Sequence, residues 1–169
     1  FANPTATPDG SGNIVVDAAG TGVHGYDLTV HLPSSFDGAL STDNGNGGTT
    51  LHGSPAAVST TVHNDNGSIT ADQLSFLINI VTANGDVTVS ATPVGQGNVI
   101  STDNGDIAAR IGAANLSITA QSASGGAVIF PDSWPANYSS SSSGSATIGD
   151  GTGTLDARTQ LGAITFFAQ

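Results

Sequence analysis

Four aspartates in glycine-containing turns are the residues of this chain best placed to do chemistry, and the chemistry they suggest is calcium binding. Asp43, Asp65 and Asp103 each precede an Asn-Gly pair, and Asp106 directly follows one. Calcium takes about six to eight oxygen ligands from carboxylates, amides and backbone carbonyls. If equivalent turns stack, the carboxylates approach one another, and their like charges must be screened by a cation or by water. We therefore predict either ordinary solvated turns or a calcium site formed by these four aspartates.

An aromatic loop near the end of the chain is a second candidate site. Residues 130–138 read Phe-Pro-Asp-Ser-Trp-Pro-Ala-Asn-Tyr, and a run of serines follows. Trp134 and Tyr138 stand beside aspartate and asparagine, and exposed aromatic rings in such surroundings stack on sugar rings or anchor protein partners. The alternative interpretation is that Trp134 folds back as a lid on the core.

No set of residues matches a known catalytic motif. The chain contains no Lys, which excludes a phosphate-binding glycine loop, and it has no nucleophile elbow of the Gly-x-Ser-x-Gly type. Its four histidines lack the spacing of zinc motifs, so we predict surface positions for His24, His31, His52 and His63. We expect a protein that is not an enzyme and that has no cofactor other than the candidate calcium.

The charged residues limit the partners of the chain. All 13 acidic residues are Asp, the only cations are Arg110 and Arg158, and the formal net charge is −11. Nucleic acids and anionic membranes are bound through Lys and Arg, so we expect neither as a partner. No apolar run reaches the ~18 residues of a membrane span.

The remaining composition indicates a secreted protein, either extracellular or on a cell surface. Cys and Met are both absent, which excludes disulfides and removes two targets of oxidation. The chain starts at Phe1, which we interpret as the mature end left by a signal peptide. Asn66, Asn115 and Asn137 stand in sequons and are candidate glycosylation sites.

A repeat of about twenty residues organises the chain. A Ser/Thr-rich stretch, a turn ending in Gly and an alternating apolar stretch recur, with turn glycines at Gly45, Gly67, Gly85, Gly105 and Gly125. Asn-Gly pairs favour tight turns because both residues tolerate positive φ. The flanking segments alternate with period two, which is typical of strands with one buried face.

Two architectures fit a unit of strand, turn, strand and turn. In a β-solenoid each unit is one coil, and the coils stack in parallel with equivalent turns above one another. In an antiparallel β-sandwich or jelly roll each unit is a hairpin packed across a second sheet. We favour an all-β, single-domain β-solenoid or β-roll, because the turn phrase keeps its phase. Stacked turns would then form an amide ladder from Asn44, Asn66, Asn84 and Asn104.

Several stretches carry a family resemblance. Residues 28–33 and 40–45, followed by units of the form Thr-x-Asn-Gly-Asp-Val, resemble the bacterial adhesin-like β-solenoid family, and residues 149–164 are similar to the last unit of that family. The resemblance covers residues 13–169 and implies a β-solenoid at the cell surface, with no catalytic residues. The lack of Lys and Glu and the Ser-rich insertion depart from the family pattern.

The domain limits follow from the repeat. We predict a flexible N-terminal arm at residues 1–12 and a solenoid domain at 13–169, with an aromatic and Ser-rich insertion at 130–147. Residues 12–20 have strand character and either cap their own solenoid or pair with a sheet edge of a neighbouring copy. The predicted function is an extracellular structural or adhesive protein that self-associates into surface or matrix filaments. The alternative is a carbohydrate-binding module that uses the aromatic loop.

Overall fold

The computed structural model describes residues 5–8, 14–17, 38–53, 59–112 and 115–169. These residues form fifteen β-strands and no helix, which confirms the all-β prediction. Within them, accordingly, no helix has the length and apolar character that crossing a membrane requires. The strands are β1 (Thr5–Pro8), β2 (Ile14–Asp17), β3 (Ala39–Asn46), β4 (Thr49–His52), β5 (Ser59–Asn66), β6 (Ile69–Asn84), β7 (Val87–Pro93), β8 (Asn98–Asn104), β9 (Ile107–Ile111), β10 (Leu116–Ser122), β11 (Val128–Ile129), β12 (Ala136–Ser140), β13 (Ser143–Ile148), β14 (Gly153–Leu161) and β15 (Ile164–Ala168).

Eleven of these strands wind into a β-solenoid with two sheets, and each coil gives one strand, or one half of the long β6, to each sheet. Coil 1 is β3–β4, coil 2 is β5 with the first half of β6, and coil 3 is the second half of β6 with β7. Coil 4 is β8–β9, coil 5 is β10–β11 and coil 6 is β14–β15. Neighbouring coils run parallel and in register, with Val87 opposite Ile107 as one example. Parallel neighbours exclude the antiparallel sandwich.

The coils do not stack in the order of the sequence. Coils 1 to 4 follow one another, but coil 6 then lies between coil 4 and coil 5. β14 pairs in parallel with β8 on one side and β10 on the other, and β15 lies in the same way between β9 and β11. Beyond coil 5 the first sheet continues antiparallel, with β13 and then β12. The insertion at residues 130–147 therefore supplies a hairpin that covers this end of the solenoid.

A column of glycines occupies the turn between the two strands of every coil: Gly47, Gly67, Gly85, Gly105, Gly162 and, in coil 5, Gly126. A Cβ on any of the last five would overlap the carbonyl oxygen of the glycine in the neighbouring coil. At Gly105, for example, φ is +155°, and an added Cβ would lie 2.6 Å from the carbonyl carbon of Gly85. Because parallel coils are only ~4.8 Å apart, no side chain fits between them at this point.

An inward-facing polar column bonds the carbonyl groups of these glycines. Thr102 Oγ1 donates to the carbonyl oxygen of Gly85 at 2.9 Å, and Thr159 Oγ1 donates to that of Gly105 at 3.0 Å. Equivalent bonds to turn glycines are made by Asn64, Thr82 and Ser122. All five donors are buried. These hydrogen bonds contribute to stability because a buried carbonyl oxygen without a donor costs about 1–3 kcal/mol of folding free energy.

The core consists of short apolar columns between the two sheets. Buried and more exposed side chains alternate along the strands, as β7 shows. One buried column is formed by Ile69, Val87, Ile107, Ile164 and Val128. β-Branched side chains suit a pleated, buried surface because their rotamers are restricted and pack regularly.

The first turn lies two residues later than the sequence analysis placed it. Gly47, and not Gly45, stacks with Gly67, because residues 44–47 contain two Asn-Gly pairs and only the second matches the register of β3 with β5. In coil 5 the stacked glycine is likewise Gly126 and not Gly125. The corrected turns are more evenly spaced than those predicted.

The N-terminal strands form a small sheet of their own. β1 lies within residues 1–12, where we predicted a flexible arm, and it pairs antiparallel with β2. This two-stranded sheet is separate from the two sheets of the solenoid. The described part of residues 12–20 therefore pairs with β1, and not with a coil of the solenoid.

Replacing Gly105 by Ala should destabilise the protein more than replacing Gly95. Both glycines have positive φ, but nothing lies within 4 Å of a Cβ added at Gly95. Gly95→Ala should therefore cost only the roughly 1–2 kcal/mol of left-handed strain, whereas Gly105→Ala must also push two coils apart. Urea unfolding of both variants measures the difference. Equal losses of unfolding free energy would show that the glycine column does not set the stacking.

Candidate functional site

A ladder of asparagine amides runs along the outside of the stacked turns. Asn66 Nδ2 donates to Asn46 Oδ1 at 3.1 Å, Asn84 to Asn66 at 2.9 Å and Asn104 to Asn84 at 2.8 Å. The ladder predicted from the sequence is present, but its first member is Asn46 instead of Asn44. Asn44 Nδ2 donates to the carbonyl of Gly47 within its own turn. The ladder thus ties coils 1 to 4 together through side chains.

The four candidate calcium ligands do not converge. Asp43 lies opposite His63 in the neighbouring coil. Asp65 and Asp103 occupy equivalent positions of coils 2 and 4, and Ala83 holds that position in coil 3 between them. Two strand spacings, roughly 9–10 Å, therefore separate these two positions. In the described part of the chain no three His, Cys, Asp or Glu side chains are grouped so that they could hold a metal ion.

Asp106, the fourth candidate, has a structural role in the turns. Its Oδ1 accepts a hydrogen bond from the backbone N–H of Ala163 at 2.7 Å. In the coil before, Asp86 Oδ1 accepts from the N–H of Asp106 at 2.9 Å. These carboxylates accept hydrogen bonds from backbone N–H groups that directly follow the turn glycines. Each of the two exposed aspartates therefore bonds its own coil to the next one.

Two histidine–aspartate pairs, which the sequence analysis did not identify, link neighbouring coils. His63 Nδ1 is 3.0 Å from Asp43 Oδ1, and His52 Nδ1 is 2.7 Å from Asp72 Oδ1. Each pair joins residues directly opposite each other in parallel strands. The hydrogen bond to Asp43, with the nearby charges of Asp43 and Asp65, raises the pKa of His63 above its ordinary value of 6.5. A spacing of one repeat in the sequence was the signal that could have revealed both pairs.

The aromatic loop packs on the end of the core. Phe130 stacks on Phe166 with ring centroids 5.0 Å apart, and Trp134 lies 6.0 Å from Phe166. The Tyr138 hydroxyl accepts a hydrogen bond from the Phe130 N–H at 3.0 Å. Tyr138 stands opposite Gly144 in the core-facing row of the sheet, although half of its surface is exposed. This geometry supports the lid interpretation of Trp134, whereas Tyr138 stays partly exposed and also lines the outer groove.

A polar groove of about 520 Å³ lies on the outer face of the last four strands of the first sheet. Its walls include Thr119, Gln121, Asn137, Asp156 and Arg158. Arg158 forms an ion pair with Asp156, whose Oδ1 also accepts from the Thr119 hydroxyl at 3.2 Å. The groove therefore offers a carboxylate, a guanidinium and amides to a polar ligand, and the sequence analysis did not predict this combination.

The three sequons have different surroundings. Asn66 is a central member of the amide ladder, and a glycan on its Nδ2 would replace one of the two hydrogens that this atom donates, to Asn46 Oδ1 and to the carbonyl oxygen of Gly45. Asn115 is exposed, and its Oδ1 accepts from the N–H of Asp150 at 3.3 Å. Asn137 is exposed in β12 beside the polar groove. Glycosylation is thus compatible with the fold at Asn115 and Asn137 but competes with it at Asn66.

Replacing Asp43 by Asn should lower the pKa of His63 toward its ordinary value, because the variant loses the hydrogen-bonded carboxylate. Since the folded-state pKa of His63 is raised, its stabilising contribution is fully present below pH ~6.5 and is lost as the pH rises through the folded-state pKa. The wild type should therefore exceed Asp43→Asn in stability at pH 5.5 and match it at pH 9.

An NMR titration of His63 and thermal unfolding at the two pH values measure this effect. The control is Asp103→Asn, which removes the same charge away from any histidine of the described residues. A His63 titration identical in the wild type and in Asp43→Asn would contradict the assigned pair.

Comparison with known proteins agrees with this architecture. The family model described as Toastrack DUF4097 matches residues 37–166, well over half of the chain. Its repeat fold is β-solenoid-like, which confirms the fold implied by the family resemblance, and its description names no adhesin. No curated protein and no solved structure gives a significant match. The stacked coils and the family match together show that the chain belongs to the Toastrack DUF4097 family.

Proposed function

We propose that this chain is an extracellular structural and adhesive protein whose solenoid serves as a stiff spacer. The observation that carries the proposal is the continuous bonding of one coil to the next. Each turn joins its neighbour through backbone bonds, through the glycine column and, in coils 1 to 4, through the amide ladder. A solenoid in which every coil is fixed to both neighbours resists bending along its whole length.

The composition supports an extracellular location. The chain gains its stability without Cys, and it contains no Met, so the two side chains most easily oxidised are absent. Short polar side chains cover the outer faces, as shown by the column of Thr50, Thr70 and Thr88 on the second sheet. With a net charge of −11, such a surface stays hydrated and soluble.

Self-association into filaments is part of the proposal, but the end beyond coil 5 is a poor place for simple stacking. There the antiparallel hairpin β12–β13 extends the first sheet, and the rings of Phe130 and Trp134 cover the core. A second copy that added a parallel coil at this end would have to displace both. Filament growth therefore needs another contact between copies.

Imaging of the native material tests this proposal directly. We expect immunogold label outside the cells and, in negative stain, thin fibres or a surface layer that contains the chain. The control is the same preparation from cells that lack the protein. Label confined to the cell interior would overturn the extracellular role, and dispersed single particles at the cell surface would overturn filament formation alone.

Carbohydrate binding is the second candidate function, and the polar groove is the observation that favours it. The Asp156 carboxylate can accept bonds from sugar hydroxyls, and Arg158 and Gln121 can donate to them. The groove includes one of the two predicted ligand-binding residues, Tyr138, whereas Trp134 packs on the core. The groove lies near the capped end of the solenoid, where a stiff spacer would present it.

A glycan array with matched arginine variants tests this second candidate. Arg158→Gln should weaken binding of any glycan held in the groove. Arg110→Gln makes the same change on the other sheet, where Arg110 lies 5.5 Å from the centre of the Phe167 ring, and it should bind as the wild type does. Absence of binding to every glycan would remove the candidate function, and equal binding by both variants would remove the groove as its site.

A further inference from the structure

The last coil of the sequence is an interior coil of the solenoid. Coil 6, residues 153–169, follows coil 5 and the hairpin in the sequence, yet it lies between coil 4 and coil 5. Coils 4 and 5 are consecutive in the sequence but do not pair with each other in either sheet. The rest of the chain therefore forms a slot one coil thick, and coil 6 fills it.

Coil 6 is bonded to the slot on both of its sides. Toward coil 4, the N–H of Gly105 donates to the carbonyl oxygen of Leu161 at 2.9 Å, and that of Ile107 donates to Ala163 at 2.9 Å. Toward coil 5, the N–H of Ala123 donates to Thr159 at 2.9 Å. Four apolar side chains of the segment are fully buried in the common core: Leu155, Ala157, Ile164 and Phe166.

We infer that residues 153–169 are exchanged between copies of this chain, so that coil 6 of one copy fills the slot of another. This inference rests on the self-association included in the proposed function and names the contact that produces it. These contacts join the segment to the slot, so a second copy of the segment makes them equally well. Such exchange is a low-cost route to assembly because no new interface has to arise.

The connection to coil 6 is short and has the features of a hinge. Residues 149–152 lead from β13 across the end of β10 to β14, and Gly149 and Gly151 have φ of 61° and 68°. Asp150 Oδ1 accepts hydrogen bonds from the N–H and the hydroxyl of Thr152, at 3.1 and 3.0 Å. Straightening this turn breaks these bonds and two others, from the N–H of Gly151 to the carbonyl oxygen of Ile148 and from the N–H of Asp150 to Asn115 Oδ1, both at 3.3 Å. The two glycines adopt extended backbone without steric cost.

Exchange also accounts for growth past the capped end. When one copy donates coil 6 to a second, and the second donates to a third, the contacts are head-to-tail and the chain of copies remains open. The hairpin β12–β13 can stay in place on every copy, since the slot lies on the other side of coil 5. Reciprocal exchange between two copies would instead close a dimer.

Cysteine variants of the full-length chain test the exchange, because the wild type contains no Cys. Ala108 of coil 4 and Thr165 of coil 6 are opposite each other on the outer face of the second sheet. The single variants Ala108→Cys and Thr165→Cys are unfolded, mixed, refolded at high concentration and oxidised. A disulfide between the two different chains forms in excess of random collisions only if coil 6 of one copy lies beside coil 4 of the other. We expect this heterodimer, in an amount that rises with protein concentration.

A second mixture provides the matched control. Thr70 and Thr88 belong to the same outer column, in coils 2 and 3, and are also opposite each other. These two coils do not exchange, so Thr70→Cys mixed with Thr88→Cys should give only the background of random disulfides. The double variant Ala108→Cys/Thr165→Cys should close its disulfide within one chain at low concentration, which verifies that the geometry allows the bond.

The outcomes separate this inference from the proposed function. A heterodimer yield from the Ala108 and Thr165 variants no higher than the control, with the double variant closing normally, overturns the exchange. Native filaments seen by imaging in that case would leave self-association standing by another contact. A heterodimer yield well above the control supports the exchange, whether or not the native material is fibrous.

Discussion

The close approach of glycine backbones at the turns is the constraint on which the rest of the structure depends. A side chain on Gly67, Gly85, Gly105 or Gly162 would overlap the backbone of the coil beneath it. Because coils approach closely only where this position is glycine, the glycines set which residues of successive coils lie opposite each other. The inward-facing polar column, the amide ladder and the apolar columns all follow from that alignment.

The alignment also explains how so acidic a chain remains folded. Each exposed column collects the residues at one position of the repeat, so like charges would stack at ~4.8 Å if every coil carried Asp there. The sequence avoids this by placing Ala83 between Asp65 and Asp103, and His63 beside Asp43. Where two aspartates do follow each other, at Asp86 and Asp106, each carboxylate accepts a backbone hydrogen bond.

Local signals in the sequence predicted the repeat, the parallel solenoid and most of its turns, because Asn-Gly and period-two alternation reflect backbone preferences of a few residues. The predicted position of the first turn, at Gly45, was wrong. Two adjacent Asn-Gly pairs give the same local signal there, and only pairing with the next coil selects the second pair, which ends at Gly47. The faces of Trp134 and Tyr138 could not be predicted either. They depend on the antiparallel return of β12 and β13, which no repeat unit encodes.

The order of the coils is the part of the fold that a repeat is least able to specify. Equivalent coils offer similar edges, so a parallel strand can pair acceptably with any of them, and the choice depends on the connections between coils. Here residues 130–152 leave coil 5, form the hairpin and return on the far side of β10. Coil 6 pairs with both coil 4 and coil 5, so until coil 6 docks each of them presents an unpaired edge. An edge that pairs with a later segment of its own chain accepts the same segment from a neighbouring copy. For this reason the likeness of the coils, which makes the rod regular, also makes coil 6 transferable between copies.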